Sequence, residues 1–228
     1  MTTLPSLFVS HGSPMMALED SRARRFLCQL GKDIGRPEAI LIASAHWEAP
    51  QLAFTTADHL PTIHDFGGFP QALHDCQYVP PGAPDAVSKA AALLQNAGLT
   101  AYADPARGVD HGTWVPLMLM YPGADIPVAQ ISIETPLGAS HQLAIGRALA
   151  PLRDDGILVI GSGNITHNLR EMNRAEPDGD GHDWVVEFAD WVADALADGR
   201  IDDLTAWDTG APHARRSHPS DEHFLPLF

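Results

Sequence analysis

The chain has 228 residues, 45% apolar and 19% charged, the make-up of one ordinary globular domain. Its net charge of −15 argues against nucleic acid, which needs a basic face, and disfavours anionic membrane surfaces. No apolar run approaches the roughly 20 residues that span a bilayer, there is no basic leader with a cleavage site, and Cys28 and Cys76 offer neither a disulfide framework nor a thiolate metal site, so a cytoplasmic protein is expected.

Four continuous apolar runs read as strands buried on both faces: 6–10 (SLFVS), 39–45 (AILIASA), 126–133 (IPVAQISI) and 157–163 (ILVIGSG). Helices are predicted between and after them. One covers 85–98 and ends at a glycine stop, a second covers 139–156, and a third covers 182–199 with Trp184, Phe188, Trp191 and Leu196 along one stripe. Segment 54–84 is a long Pro-, Gly- and His-rich loop, of the kind that builds a site or a lid. Segment 173–184 reads as a polar connector. The expected fold is α/β, a single domain over 1–228 with a central mostly parallel or mixed sheet flanked by helices. The chain stops at Phe228 on an apolar run resembling the start of a helix, which suggests a truncated C-terminus.

Histidine carries the functional signal. His11 follows the first strand, His46 the second, and His167 the fourth after a short glycine turn. Ligands in open α/β sheets bind beyond the carboxyl ends of strands, so three imidazoles there predict a metal site on one rim. With no sulfur on offer, the candidates are Zn, Fe and Mn held by nitrogen and oxygen. A further ligand is available in HPSDEHF (218–224), which holds His218, Asp221, Glu222 and His223. His111 lies near a helix N-cap in DHGTW, where capping and catalysis are equally good readings. Phe66 and Phe69 in HDFGGFP are candidates for aromatic-ring contact. Arg107 and Arg170 flank histidine motifs and could hold a substrate carboxylate.

The motifs SHGSP, SAHW, TIHDFGGFP, DHGTW, SGNITHNLR and HPSDEHFLPL occur in the order seen in class III extradiol ring-cleavage dioxygenases. The chain resembles that class along essentially its whole length, and more narrowly its 4,5-DOPA dioxygenase branch. The resemblance implies a single α/β domain with one divalent ion, usually non-haem Fe(II) and in some members Zn(II), that opens a catechol-type, DOPA-like substrate with O2 to a semialdehyde. It matches His11, His46 and His223 to metal ligands. His167 matches the acid/base histidine of protocatechuate 4,5-dioxygenases, which can also approach the metal in the DOPA branch. His111 matches the histidine that contacts bound dioxygen or substrate. The wider class uses a carboxylate as third ligand, which leaves Glu222 in competition with His223. The family also continues past FLPL through more sheet-forming sequence. A zinc hydrolase using metal-bound water and a non-enzymatic metal-binding relative of the fold are the alternatives.

Overall fold

A computed structural model describes residues 3–172 and 181–228. Six strands form one mixed sheet: β1 (Ser6–Ser10), β2 (Ala39–Glu48), β3 (Ala53–Thr55), β4 (Tyr102–Asp104), β5 (Val128–Ile133) and β6 (Ile157–Gly163), in the order β1-β6-β2-β5-β3-β4. The central ladders β1/β6, β6/β2 and β2/β5 are parallel, β3 runs antiparallel to β5, and β4 is parallel to β3. The expected α/β architecture is therefore present. The two strands missed by sequence, β3 and β4, have three residues each, too short for a periodic signal.

The helices are α1 (Arg22–Ile34), α2 (Gln71–His74), α3 (Pro84–Asn96), α4 (His111–Met120), α5 (Gly138–Leu149), α6 (Asp183–Ala197), α7 (Ile201–Thr205), α8 (Trp207–Gly210) and α9 (Ala214–Ser217). Side-chain alternation along β2 divides the core. Ile40 and Ile42 pack with Trp114, Val115 and Leu27 on the α1/α4 side, while Leu41 packs with Ala90, Leu94, Ile145 and Leu149 on the α3/α5 side. A third cluster joins α6–α9 to the C-terminal segment through Phe188, Val192, Trp207 and Phe224.

Three expectations need adjustment. The predicted helix over 139–156 is α5 followed by a 3₁₀ segment, Ala150–Asp155, because Pro151 cannot continue the α-helical bonding. The buried stripe of α6 runs Trp184, Phe188, Val192, Ala195, while Leu196 stands 49% exposed. The final apolar run forms only a 3₁₀ turn, Leu225–Leu227. Of the expected polar connector, residues 173–180 lie outside the described residues. Among the described residues, no helix is long and apolar enough to cross a membrane.

Candidate metal centre and active site

Because β1, β6 and β2 are parallel, their carboxyl ends share one rim. His11 directly follows β1, and His167 lies four residues beyond Gly163 at the end of β6. His46 lies inside β2, which runs three residues further than its apolar pattern indicated. There Ala43 pairs with Ile131 but Glu48 with Ile133, so the ladder is irregular across His46, as bulges beside active sites often are.

His223 arrives from the C-terminal segment, which is strapped to β6. The Asn164 N–H donates to the His223 carbonyl at 2.9 Å. Only glycine permits this approach, since a Cβ on Gly163 would lie 2.1 Å from that carbonyl oxygen.

One nitrogen each from His11, His46 and His223 lie within 4.8 Å of one another. The Nε2 atoms of His11 and His46 are 3.1 Å apart. Hydrogen bonds on the other ring nitrogens assign the tautomers of two rings. Ser162 Oγ gives its proton to the Gly112 carbonyl, so at 3.0 Å it accepts from His11 Nδ1–H, leaving Nε2 of His11 a bare lone pair. Glu222 Oε1 accepts from His223 Nδ1–H at 2.9 Å, which leaves Nε2 of His223 proton-free. That atom is buried and makes no hydrogen bond, an unusual condition for a polar atom. Glu222 is thus turned to the back of His223, and among the described residues its carboxylate is not part of the His11–His46–His223 group.

Electrostatics suit the same reading. Burial, reinforced by the neighbouring imidazoles, holds the His11 ring well below its usual pKa. Burial and His111 bring His46 down to about 3. Burial and His223 bring His167 to about 4, against the opposing pull of Glu222. Unprotonated imidazoles keep the lone pairs that a cation needs. The residues present fit a divalent ion with a preference for nitrogen donors.

The proton-handling candidates sit beside this group. The His167 ring lies flat on His223, with centroids 3.4 Å apart and planes 13° off parallel. Its backbone N–H donates to the Ser217 carbonyl at 2.8 Å, and His218 Nε2–H donates to the Ile165 carbonyl at 2.7 Å, so α9 and its C-terminal flank hold the loop. His111, the first residue of α4, lies 3.9 Å from His46 centroid to centroid. Asp65 Oδ1 accepts from both the His111 backbone N–H at 3.0 Å and His111 Nδ1–H at 2.9 Å, and Asp65 Oδ2 lies 3.5 Å from His46 Nδ1. Burial alone would raise the Asp65 carboxyl, but these bonds to His111 bring it down to about 2.

All five histidines line one cavity of about 900 Å³, together with Phe66, Phe69, Leu169, Met172 and Trp184. Phe66 stands edge-on to His111 at 5.7 Å and to Phe69 at 5.4 Å. Arg107 and Arg170 are not among the lining residues. Arg170 is exposed. Arg107 is committed elsewhere: it donates to Asp110 Oδ2 at 3.0 Å and to the His46 carbonyl at 3.2 Å, and it covers the Trp47 ring at 5.2 Å.

Sequence reading passed over Asp65, Asp110, Ser44 and Ser162. Asp110 is fully buried and bonded by Ser44 Oγ at 2.6 Å, Gln130 Nε2 and Arg107, which ties β2 and β5 to the start of α4. Asp65 and Asp110 each neighbour a histidine of a quoted motif, and that adjacency was the available signal.

The sequence profile of the family described as "Catalytic LigB subunit of aromatic ring-opening dioxygenase" matches residues 5–228. The chain belongs to this family. Similar relatives include 4,5-DOPA dioxygenase extradiol of Beta vulgaris, 43% identical over 97% of this chain and 84% of that protein, and its namesake in Escherichia coli K12, 40% identical over 99% and 83%. The crystal structure of uncharacterized protein JW3007 from Escherichia coli K12 superposes with a TM-score of 0.79 at 35% identity, covering 98% of this chain and 86% of that one. The LigB-family chain is thus an extradiol aromatic ring-opening dioxygenase.

Proposed function

We propose that this dioxygenase opens a catechol-type, DOPA-like ring beside its diol, using one divalent ion held by Nε2 of His11, His46 and His223. The observation that carries the assignment is the buried Nε2 of His223, which has no hydrogen bond and belongs to the same group as the ring nitrogens of His11 and His46. Bound there, Fe(II) would supply Lewis acidity to the diol and a path for electrons from the catecholate to dioxygen. In the net reaction one ring carbon–carbon bond breaks and both atoms of O2 enter the product, an open-chain semialdehyde.

The remaining roles fall to the chain's own side chains. His167, unprotonated at neutral pH, accepts a proton from a catechol hydroxyl and returns it to the departing oxygen. His111, with Nδ1–H fixed on Asp65, presents Nε2 towards substrate or dioxygen. Phe66 and Phe69 contact the substrate ring and shield the site from water. In this reading His167, stacked flat on His223, is an acid/base group beside the ion and not a fourth ligand. Arg107 and Arg170 have no substrate role in this reading. Two free cysteines suit a cytoplasmic setting.

The three-nitrogen donor set is also one that zinc accepts, with water in the open position. The test separates the two metals. Chelator-stripped protein is reconstituted anaerobically with Fe(II) or with Zn(II), then exposed to O2 and a panel of catechols. Yellow semialdehyde and O2 uptake with Fe(II) alone are expected. Ester or amide hydrolysis by the zinc form, with no O2 uptake by the iron form, would replace this reading.

A further inference from the structure

Behind the five histidines stand two carboxylates, and each touches two imidazoles. Asp65 lies 2.9 Å from His111 Nδ1 through Oδ1 and 3.5 Å from His46 Nδ1 through Oδ2. Glu222 lies 2.9 Å from His223 Nδ1 and 4.0 Å from His167 Nδ1, both through Oε1. Each therefore stands between one proposed metal ligand and one proposed proton-handling histidine, with a short hydrogen bond to only one of the two. For Glu222 the short bond goes to the ligand. For Asp65 it goes to the proton handler.

We infer that Glu222 and Asp65 are positioning residues with divided duties: Glu222 aims His223 for metal loading, and Asp65 aims His111 for turnover. The inference rests on the metal and residue roles proposed above. A neutral imidazole carries one N–H, and a carboxylate can only accept, so a carboxylate on Nδ1 forces the proton to Nδ1 and the lone pair to Nε2. Without Glu222, the buried His223 ring is free to place its proton on Nε2 or to rotate, and either removes a donor from the metal group. Ser220 Oγ donates to the same Glu222 oxygen at 3.0 Å and keeps it in place.

Asp65 is anchored differently. Its loop is tied to α4 and the turn before it, by Trp114 Nε1–H donating to the Ile63 carbonyl at 3.1 Å and Ile63 N–H donating to the Val109 carbonyl at 2.8 Å. Its two bonds to His111 fix both the backbone and the ring of that residue, while its 3.5 Å approach to His46 is too long to orient a ligand strongly. Outer partners of this kind typically contribute about 10–100-fold to metal affinity or to activity, and here the two effects should separate.

The first test uses the full chain stripped of metal and titrated with Co(II), whose visible spectrum reports nitrogen coordination. Glu222→Ala should weaken Co(II) binding about 10–100-fold, and Glu222→Gln, which keeps an oxygen acceptor, should recover most of it. Asp65→Ala should bind Co(II) within a few-fold of wild type. Saturated with Fe(II), it should lose about 10–100-fold in kcat with little change in KM, and Asp65→Asn should restore most of that. Equal losses of metal affinity in both alanine variants, wild-type behaviour in either, or failure of the conservative variants to rescue would overturn the division. The second measurement needs no variant that must fold. Imidazole ¹⁵N–¹H correlation spectra of the wild-type chain should show His223 and His111 protonated at Nδ1, and an Nε2–H tautomer at either overturns the inference. If wild type itself binds no divalent ion, the proposed metal centre fails instead, which is a separate result.

Discussion

The Nε2 atoms of His11 and His46 face each other at 3.1 Å across 35 positions of sequence. The His11 tautomer points a lone pair into that gap, where it can meet either an N–H on His46 Nε2 or a cation. Burial keeps both rings neutral, so a divalent cation can occupy the gap once the His46 proton stands on Nδ1. His46→Ala should therefore cut bound divalent metal to a small fraction of one equivalent, as measured by elemental analysis after Fe(II) loading. Retention of a full equivalent would show that another residue supplies the donor.

The flat stack of His167 on His223 leads to the opposite expectation at the neighbouring position. His167→Ala should keep its metal but lose ring cleavage by about 10²–10⁴-fold, the usual worth of a general acid/base group. Loss of metal along with activity would make His167 a ligand, and unchanged turnover would remove it from the chemistry.

Gly112 offers a steric probe of the same centre. A Cβ there would sit 2.3 Å from Ser44 Oγ, 3.0 Å from His46 Cδ2 and 3.2 Å from His11 Nδ1. Gly112→Ala must push both rings or break the Ser44–Asp110 bond. We expect at least a tenfold loss of metal affinity from misaligned donors, with the α/β fold retained by circular dichroism. Wild-type affinity would mean that the rings can move without consequence.

Stability should fall in acid before most carboxylates titrate. His218 is fully buried among Phe188, Trp207 and Phe224, and burial brings its ring to about 4 despite the bond to the Ile165 carbonyl. His167 is likewise held at about 4 and His46 at about 3. These folded-state values lie below the unfolded 6.5, so on acidification the unfolded chain takes up protons first. Their contribution is complete above pH 6.5, declines towards pH 4, and for His46 continues to pH 3. At about 1.4 kcal/mol per unit, His218 alone accounts for on the order of 3 kcal/mol. Asp65 and Glu222, both held near 2, extend the same trend to lower pH. Urea unfolding of chelator-treated protein between pH 8 and 4 should show a steep loss of stability below 6.5, and a flat profile would contradict the neutral buried rings.

The α/β class and the four principal strands were legible in the sequence because β2, β5 and β6 are apolar without alternation and covered on both faces. Strand β1, expected to be equally buried, lies at the sheet edge with Ser6 and Ser10 exposed and only Val9 buried. The sequence also singled out His11, His46, His111, His167 and His223 as residue types out of place in or beside such runs. The tertiary structure decided what those rings do to one another. That Glu222 accepts from His223 Nδ1–H, that Arg107 donates to Asp110 and the His46 carbonyl away from the cavity, and that Asp65 holds His111 across 46 positions are all matters of angle and contact. Local sequence encodes periodicity and turn chemistry over a few residues. A tautomer or a donor direction depends on partners brought together from distant segments, and only the folded chain supplies them.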